Sequence, residues 1–289
     1  MRRLSFLSAL LITAAAVAAA QGRSNPSDWT TRVAPYKVMA NIYYVGTLDL
    51  SSFLLTSPEG HVLIDTGVEE NAEAILANIK TLGFNVKDVR VILTTQAHYD
   101  HVAAHARLKK ESGARVLVST ADAPLVAGGG EGDYLFGPAY HFPPTPVDAM
   151  VKDGEVVTVG PTALKAHLTP GHTRGTTTWT TTVRDAAGKD RSVVFLGSTS
   201  VNPGTKLVNN DKYPGIEADY KRAFTVEKGL TCEVFLAAHA SAFRGPEKAA
   251  AAAAGKGDAA FIDPEGCRAA IERSEKAFLA ELEKQRAGR

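Results

Sequence analysis

A run of six residues after an apolar stretch constrains this chain more than any other feature. Residues 96–101 contain two histidines, one aspartate and one glutamine, whose nitrogen and oxygen atoms suit zinc. The run directly follows residues 91–94, which have the apolar, β-branched composition of a buried strand. Donors at the end of a core strand are held rigidly enough to form a metal site. The sequence therefore predicts a metal centre at one edge of a buried sheet.

Two further histidines also follow predicted strands. His172 comes after the strand predicted at 163–168, and His239 comes after the strand predicted at 233–237. With the run they supply six donors, which divide into two sets of three. The first set is Gln96, His98 and His172, and the second set is Asp100, His101 and His239. Because three protein ligands leave a position for water, each set predicts a catalytic rather than a structural zinc.

The remaining histidines have a simpler interpretation. A single histidine in a globular protein is usually a surface or core residue, and His61, His105, His141 and His167 fit that description. His105 stands one helical turn after His101, so it remains an alternative ligand on the same helix face.

Residues 1–20 have the layout of a cleavable secretory signal. Arg2 and Arg3 precede an apolar stretch at 6–17, and alanines at 18–20 precede the expected cleavage site. The stretch is short for a membrane span, and an uncleaved anchor is the alternative. Cleavage would leave 30 basic and 31 acidic residues, a net charge of −1. We expect a periplasmic or secreted protein that is free of the membrane after cleavage and does not bind nucleic acid.

The chain contains two cysteines, Cys232 and Cys267. In an oxidising compartment they have one possible pairing, and a disulfide across a loop of that length stabilises by roughly 3–4 kcal/mol. Two buried free thiols are the alternative. Neither cysteine lies in a Cys-x-x-Cys pair, so we do not count them as metal ligands.

The order of predicted strands and helices indicates an α/β fold. Strands are followed by helices in the first half, and the second half repeats this plan, which suggests two sheets face to face with helices outside. No Gly-, Ser- or Pro-rich linker separates the halves, so residues 21–289 form one predicted domain. Within it we expect an extended surface segment at 21–38, a single helix at 102–112 and a long functional loop at 128–146.

These residues resemble those of the metallo-β-lactamase superfamily, and within it the class B β-lactamases of the third subclass. The family motif His-x-His-x-Asp-His maps onto positions 96–101, with His172 and His239 as the remaining ligands. The resemblance extends from residues 42–46 and 63–67 to the cysteine pair. It implies a four-layer αβ/βα sandwich with up to two Zn²⁺ at one rim, bound by the same two sets of three ligands.

The residues after the strand predicted at 192–196 distinguish members of the superfamily. The resemblance implies a bridging aspartate here in glyoxalase-like, lactonase-like and phosphodiesterase-like members, whereas this chain has Gly-Ser-Thr-Ser at 197–200. In the third subclass the first serine lies near the second zinc and the second contacts the substrate carboxylate, which implies these roles for Ser198 and Ser200. Without the resemblance, both are explained equally well as turn serines.

Gln96 departs from the family pattern, which usually has histidine at this position. An amide oxygen is a weaker zinc donor than an imidazole, although some members of the subclass carry the same replacement. We therefore expect the set that contains Asp100 to bind zinc more tightly than the set that contains Gln96.

The resemblance implies zinc-dependent hydrolysis of the β-lactam amide of penicillins, cephalosporins and carbapenems, and hence antibiotic resistance. Asp100 would orient the attacking water, while Phe136 and Tyr140 in the long loop would cover the apolar side chain of the drug. Asp65 either supports a ligand or only accepts hydrogen bonds at a strand end. We expect a monomer that acts on this small molecule.

Serine-based chemistry lacks its motifs in this chain. Ser-x-x-Lys, Lys-Thr-Gly and Gly-x-Ser-x-Gly are all absent from the sequence.

Two alternatives to the β-lactamase remain open. One is another zinc hydrolase of the same fold that acts on a thioester, lactone or phosphoester, and the other is an exported zinc-binding protein without turnover.

Overall fold

Apolar residues on both faces of the central strands explain the architecture of this computed structural model, which describes residues 25–288. In the strand Phe53–Leu55, Phe53 and Leu55 face one hydrophobic core, whereas Leu54 faces another. Because successive side chains of a strand point to opposite faces, a sheet of such strands is buried on both sides. The signal sequence predicted at 1–20 lies outside the described residues.

The described strands form two sheets. The first sheet has seven strands in chain order, and the second has five strands that lie side by side in chain order as well. The strands of the first sheet are β1 Tyr36–Met39, β2 Ile42–Tyr44, β3 Phe53–Leu55, β4 His61–Ile64, β5 Val89–Leu93, β6 Arg115–Ser119 and β7 Ala149–Val151. The strands of the second sheet are β8 Val156–Val159, β9 Thr162–Leu168, β10 Thr177–Arg184, β11 Asp190–Leu196 and β12 Val234–Ala237. Neighbouring strands from β4 to β7 are parallel, as are β11 and β12.

Helices cover the outer faces of both sheets. The described helices are α1 Asn71–Thr81, α2 Tyr99–Val102, α3 His105–Ser112, α4 Ala123–Ala127, α5 Ile216–Lys228, α6 Gly245–Ala251 and α7 Pro264–Ala287. Ile75 of α1 and Leu108 of α3 pack against the first sheet, while Phe224 of α5 and Phe278 of α7 belong to the core of the second. The order of layers is helix, sheet, sheet, helix, which confirms the predicted four-layer αβ/βα sandwich. Within residues 25–288, no helix combines the length and apolar composition needed to cross a membrane.

The sheets are joined to each other at the end where the donors lie. The amide of Thr177, at the start of β10, donates to the carbonyl of Thr95 at 2.7 Å. The indole Nε1 of the buried Trp179 donates to the carbonyl of Thr94 at 3.1 Å. These bonds fix the residues that follow β5 against the second sheet, because both partners are buried and hydrogen bonded. Whether residues 21–289 are one domain stays a prediction.

The structure corrects the surface segment expected at 21–38. Its last three residues belong to β1, which pairs with β2 across a tight turn in which Ala40 has a φ of 49°. Residues with positive φ other than glycine are uncommon, so alanine gave no turn signal in the sequence.

The structure also corrects the single helix expected at 102–112. Instead, α2 ends at Val102 and α3 begins at His105. The amide of Ala103 donates to the carbonyl of Gly67 at 3.1 Å, so the backbone here also pairs with the loop after β4. This tertiary contact interrupts a segment whose apolar periodicity is helical throughout.

Cys232 and Cys267 form a disulfide. It joins the segment before β12 to the first turns of α7, so it fixes the helix against the edge of the second sheet. Of the two alternatives in the sequence, the bonded pair is the one that is present.

Glu227, near the end of α5, is buried with neither carboxyl oxygen hydrogen bonded. Burial raises its pKa well above the usual value of 4.5. The unfolded chain ionises this group near pH 4.5, whereas the folded protein keeps it protonated to a higher pH. Folding at neutral pH therefore requires proton uptake, and the stability contribution of Glu227 falls as the pH rises above 4.5.

We predict that Glu227→Gln raises the free energy of unfolding at pH 7 by about 1–3 kcal/mol and leaves it nearly unchanged at pH 4. The amide replaces a neutral acid of the same shape and removes the proton uptake. Urea unfolding at both pH values measures the difference, with the exposed Glu272→Gln as the control. An equal effect of Glu227→Gln at both pH values would contradict the prediction.

Candidate metal centre

The ends of three strands bring the six predicted donors to one rim. Gln96 and His98 follow β5, and α2 carries Asp100 and His101 directly afterwards. His172 lies in the loop after β9, and His239 follows β12. Parallel strands end at the same edge of a sheet, and the bond from Thr177 to Thr95 sets the second sheet beside β5.

Asp100, His101 and His239 form a compact set. One possible ligand atom from each residue lies within 4.8 Å of the other two. The Oδ2 atom of Asp100 is 3.2 Å from Nε2 of His101 and 3.5 Å from Nε2 of His239. Asp100 and His101 are buried, whereas about a quarter of the His239 side chain is exposed. One carboxylate oxygen and two imidazole nitrogens converge here, which is a donor set that suits a divalent metal.

His98 and His172 form the neighbouring pair. Nδ1 of His98 lies 3.1 Å from Nε2 of His172, and both rings are buried. The side chain of Gln96 is also buried, and its Oε1 accepts a hydrogen bond from the amide of His98 at 3.0 Å. One lone pair of the amide oxygen is thus engaged by the backbone, and the other remains for a further contact.

The carboxylates near His101 favour a positive charge in the set around Asp100. Burial disfavours protonation of His101, but the carboxylates of Asp100 and Asp65 outweigh it and raise its pKa to about 10. Neither ring nitrogen of this fully buried histidine makes a hydrogen bond. A metal ion would replace the proton on His101 and satisfy its orphaned nitrogen, so the residues fit a metal.

The pair beside it is electrically different. Burial and the neighbouring His98 lower the pKa of His172 to about 3. His172 is therefore neutral at pH 7, which is the state that a metal ligand requires.

Each of the four candidate histidine ligands has an oxygen atom of another residue near one of its ring nitrogens. Nδ1 of His239 lies 2.8 Å from Oδ2 of Asp49, and Nδ1 of His101 lies 3.6 Å from Oδ2 of Asp65. Nε2 of His98 faces Oδ2 of Asp133 at 3.5 Å, while Nδ1 of His172 donates to the carbonyl of Ser200 at 2.7 Å. The two hydrogen bonds fix the rings of His239 and His172. The longer contacts of His101 and His98 place a carboxylate beside a ring nitrogen without a hydrogen bond.

Of these three carboxylates, only that of Asp65 is predicted from the sequence to lie near the donors. It accepts hydrogen bonds from the amide and hydroxyl of Thr95, and its backbone has a φ of 55°. It thus accepts hydrogen bonds at a strand end and also faces His101, and its support of a metal ligand stays a prediction. Asp49 lies in a turn that has no recognisable sequence motif. Asp133 lies in the long loop predicted to be functional, which is the only sequence feature that pointed to it.

Asp122 is a further residue that the sequence analysis missed. Its carboxylate accepts from the amides of Ala97 and Gly175 at 3.0 and 2.8 Å, and from the hydroxyl of Thr173 at 2.6 Å. It thus joins the loop after β5 to the loop that carries His172. Gly175 fits because an added Cβ would lie 2.7 Å from the backbone nitrogen of Asp122.

Ser198 and Ser200 follow β11 and line a cavity of about 220 Å³ together with His239. The carbonyl of Ser200 accepts from the hydroxyl of Tyr220 at 2.8 Å as well as from His172. The loop after β11 is thereby fixed to one of the candidate ligands.

Aromatic rings line the rim from His98 to His239. The centroid of the Phe136 ring lies 4.8 Å from that of His98 and 4.6 Å from that of Tyr140. The centroid of the Tyr140 ring lies 5.3 Å from that of Tyr99. Trp29 continues the row, 6.0 Å from Tyr99 and 5.8 Å from His239. Phe136 and Tyr140 were expected here, whereas Trp29 was not, because residues 21–38 were interpreted as a surface segment.

His105 is a core residue rather than a member of the rim. Nδ1 lies 2.7 Å from the hydroxyl of Thr66, and Nε2 lies 2.9 Å from the hydroxyl of Thr94. Both ring nitrogens are thus engaged in the interior, which removes the alternative ligand.

Comparisons with known proteins agree with this geometry. The model of the metallo-beta-lactamase superfamily matches residues 45–239. The FEZ-1 metallo-beta-lactamase from Legionella gormanii is 40% identical with a TM-score of 0.87, over 89% of this chain and 98% of that one. BJP-1, a subclass B3 metallo-beta-lactamase of Bradyrhizobium japonicum, is 35% identical with a TM-score of 0.83, over 91% of this chain and 98% of that one.

Curated relatives match over shorter stretches. A protein described as a probable metallo-hydrolase, from Burkholderia pseudomallei, is 29% identical over 151 residues, which are 51% of this chain and 49% of that protein. The chain thus spans about half the length of that relative, and hydroxyacylglutathione hydrolases such as that of Chelativorans sp. also match over less than half of their length. This chain belongs to the metallo-β-lactamase superfamily, and the solved structures that it matches over nearly their whole length include a metallo-β-lactamase of subclass B3.

Proposed function

We propose that this protein hydrolyses the β-lactam amide of penicillins, cephalosporins and carbapenems, and thereby confers antibiotic resistance. The observation that carries the proposal is the pairing of two donor sets on one rim with a serine-lined cavity beside His239. The 40% identity to a metallo-beta-lactamase, over 98% of that protein, supports the same substrate class.

Two zinc ions would be held by the two donor sets, one at Asp100, His101 and His239 and the other at Gln96, His98 and His172. When bound, zinc lowers the pKa of a coordinated water toward roughly 7 and polarises a carbonyl oxygen. Only the first set contains a negatively charged ligand. This difference supports a higher zinc affinity at the first set than at the second.

Asp100 is the proposed catalytic residue. Its Oδ2 atom lies between His101 and His239, so its carboxylate is fixed in direction while one oxygen remains to accept a hydrogen bond. An attacking water that donates to this oxygen keeps a lone pair directed at the substrate carbonyl. Such orientation of a nucleophile accounts for a large part of enzymatic rate enhancement.

The remaining roles follow from position. Ser198 and Ser200 would hold the substrate carboxylate from the cavity beside His239. Phe136 and Tyr140 would cover the apolar side chain of the drug, since the ring of Phe136 stands beside His98 and the ring of Tyr140 packs against Phe136. The disulfide supports the proposal of a periplasmic or secreted enzyme, because disulfides persist in oxidising compartments. We propose a monomer that needs no nucleic acid or membrane.

A thioesterase is the second candidate, favoured by the matches to hydroxyacylglutathione hydrolases. The loop after β11 argues against it, because Gly-Ser-Thr-Ser stands at 197–200 where the resemblance implies a bridging aspartate in that group. A zinc-binding protein without turnover is the third reading.

We predict that the zinc-loaded protein hydrolyses a cephalosporin, that a chelator abolishes the activity, and that added zinc restores it. Loss of β-lactam absorbance measures the rate, and a hydroxyacylglutathione thioester is assayed in parallel. Asp100→Asn should lower kcat at least about 100-fold, because the water loses its orienting carboxylate, with the surface variant Asp148→Asn as the control. Thioester turnover without lactam turnover would assign the second candidate, and no turnover at full zinc loading would assign the third.

We predict that Gln96→His tightens zinc binding at the set around His98 by at least about tenfold, because imidazole is the better donor. Titration against a competing chelator measures both affinities, and elemental analysis gives the stoichiometry. Gln96→Ala, which removes the donor, should weaken the same site. Two equally tight sites in the unaltered protein, or no change in Gln96→His, would contradict this assignment.

We predict that Asp133→Asn weakens zinc binding at the set around His98 by about tenfold, because Oδ2 faces Nε2 of His98. Oδ1 accepts from the amides of Leu135 and Phe136 at 2.7 and 2.8 Å, and asparagine can keep these bonds. Asp133→Ala removes both functions and should also raise KM. Unchanged zinc affinity in both variants would show that Asp133 supports only the loop.

A further inference from the structure

The cavity beside His239 contains one formally cationic residue and no acidic residue. Its polar lining consists of three residues of the loop after β11, of His239, and of two residues of α7: Ser198, Thr199, Ser200, His239, Arg273 and Ser274. Small alanine side chains form much of the remaining wall. A cavity with hydroxyl donors, a guanidinium and no carboxylate favours an anion over a cation or a neutral group.

Arg273 has no partner among residues 25–288. It makes no hydrogen bond, ion pair or ring contact with any described residue, and it is exposed. Other arginines of the same helix are paired, since Arg268 lies 3.4 Å from Glu265 and Arg286 lies 2.7 Å from Glu217. The guanidinium of Arg273 therefore keeps all its donors for a ligand.

The spacing on α7 directs Arg273 into the cavity. Ala270, Arg273 and Ser274 stand three and four residues apart, so they share one face of the helix, and all three line the cavity. Alanine at position 270 adds little bulk to this face of the helix, and Ser274 adds a hydroxyl to the cavity lining.

Arg273 also lies between two cavities. A second cavity of about 650 Å³ continues outward along α7 and is lined by residues 200–205 on the opposite side. Ser200, Arg273 and Ser274 line both cavities, so they form the wall between them. The acid in the outer cavity, Glu281, lies 3.3 Å from Lys284, so it does not occupy Arg273. A ligand whose anionic group is held at this wall would keep its body free to extend either toward His239 or outward.

We propose that Arg273 forms an anion subsite with Ser198 and Ser200 that binds the carboxylate of the substrate. This inference rests on the proposed function and names the residue that determines its preference for an acid. A guanidinium is planar and presents paired N–H donors that match a carboxylate, which a serine hydroxyl alone does not. His239 lines the same cavity, so an acid bound there would lie beside one of the candidate metal ligands.

The test compares a cephalosporin with its methyl ester, on the zinc-loaded full chain. Arg273→Gln should raise KM for the acid about tenfold, which corresponds to about 1.4 kcal/mol, while KM for the ester changes less than twofold. Arg273→Lys keeps the charge but loses the paired donors, so it should lie between the two. Arg268→Gln, on the same helix and outside this cavity, is the matched control. Zinc content and the unfolding midpoint are measured for every variant.

The outcomes separate this inference from the proposed function. If the unaltered protein turns over no β-lactam, dissociation constants for the intact acid and ester, measured by calorimetry, replace KM. An acid-specific weakening in Arg273→Gln supports the subsite with or without turnover. Equal effects on acid and ester, or no effect on either, would overturn it. Should Arg273→Gln unfold, Arg273→Lys decides by the same ratio of acid to ester.

Discussion

The buried carboxylate of Asp122 is the contact on which the arrangement of the rim depends. It receives three hydrogen bonds from the two loops that carry the donors after β5 and β9, at Ala97, Thr173 and Gly175. Burial raises its pKa, and these hydrogen bonds oppose the shift. A buried acid without partners would cost several kcal/mol, so the two loops are held in the one geometry that satisfies it. His98 and His172 face each other because their loops share this acceptor.

The features of this structure that are encoded in short stretches of sequence could be predicted. The strand expected at 163–168 lies within β9, and the donors at 96–101 stand after β5 as expected, because apolar periodicity and strand-end position are properties of a short window. The six candidate donors could be predicted for the same reason, because few residue types bind metal ions. The fold class followed from the order of elements rather than from any single contact.

The supporting contacts could not be predicted in this way. Asp49 and His239 are 190 residues apart, and Asp122 and Thr173 are 51 apart, so no local pattern relates them. Trp29 was missed because its segment has no apolar period, yet it packs between Tyr99 and His239. Arg273 stands on an ordinary amphipathic helix, and only the cavity beside it distinguishes it from the other arginines there. In each case the information lies in which surfaces meet after folding.

The positive charge that two bound divalent ions would bring explains the positions of the carboxylates near the histidines. The set around Asp100 has one carboxylate among its donors and the set around Gln96 has none, so two divalent ions would leave a large excess of positive charge in a buried place. Asp49, Asp65 and Asp133 stand behind the imidazoles and offset part of that excess at a distance of one ring. They do so without occupying the space in front of the donors. The cavity without an acidic residue is lined by His239, so an anionic group attracted by the remaining positive charge would have a place beside a candidate ligand. A carboxylate ligand in place of Gln96 would reduce that attraction, whereas a neutral amide preserves it and lowers only the affinity for the metal.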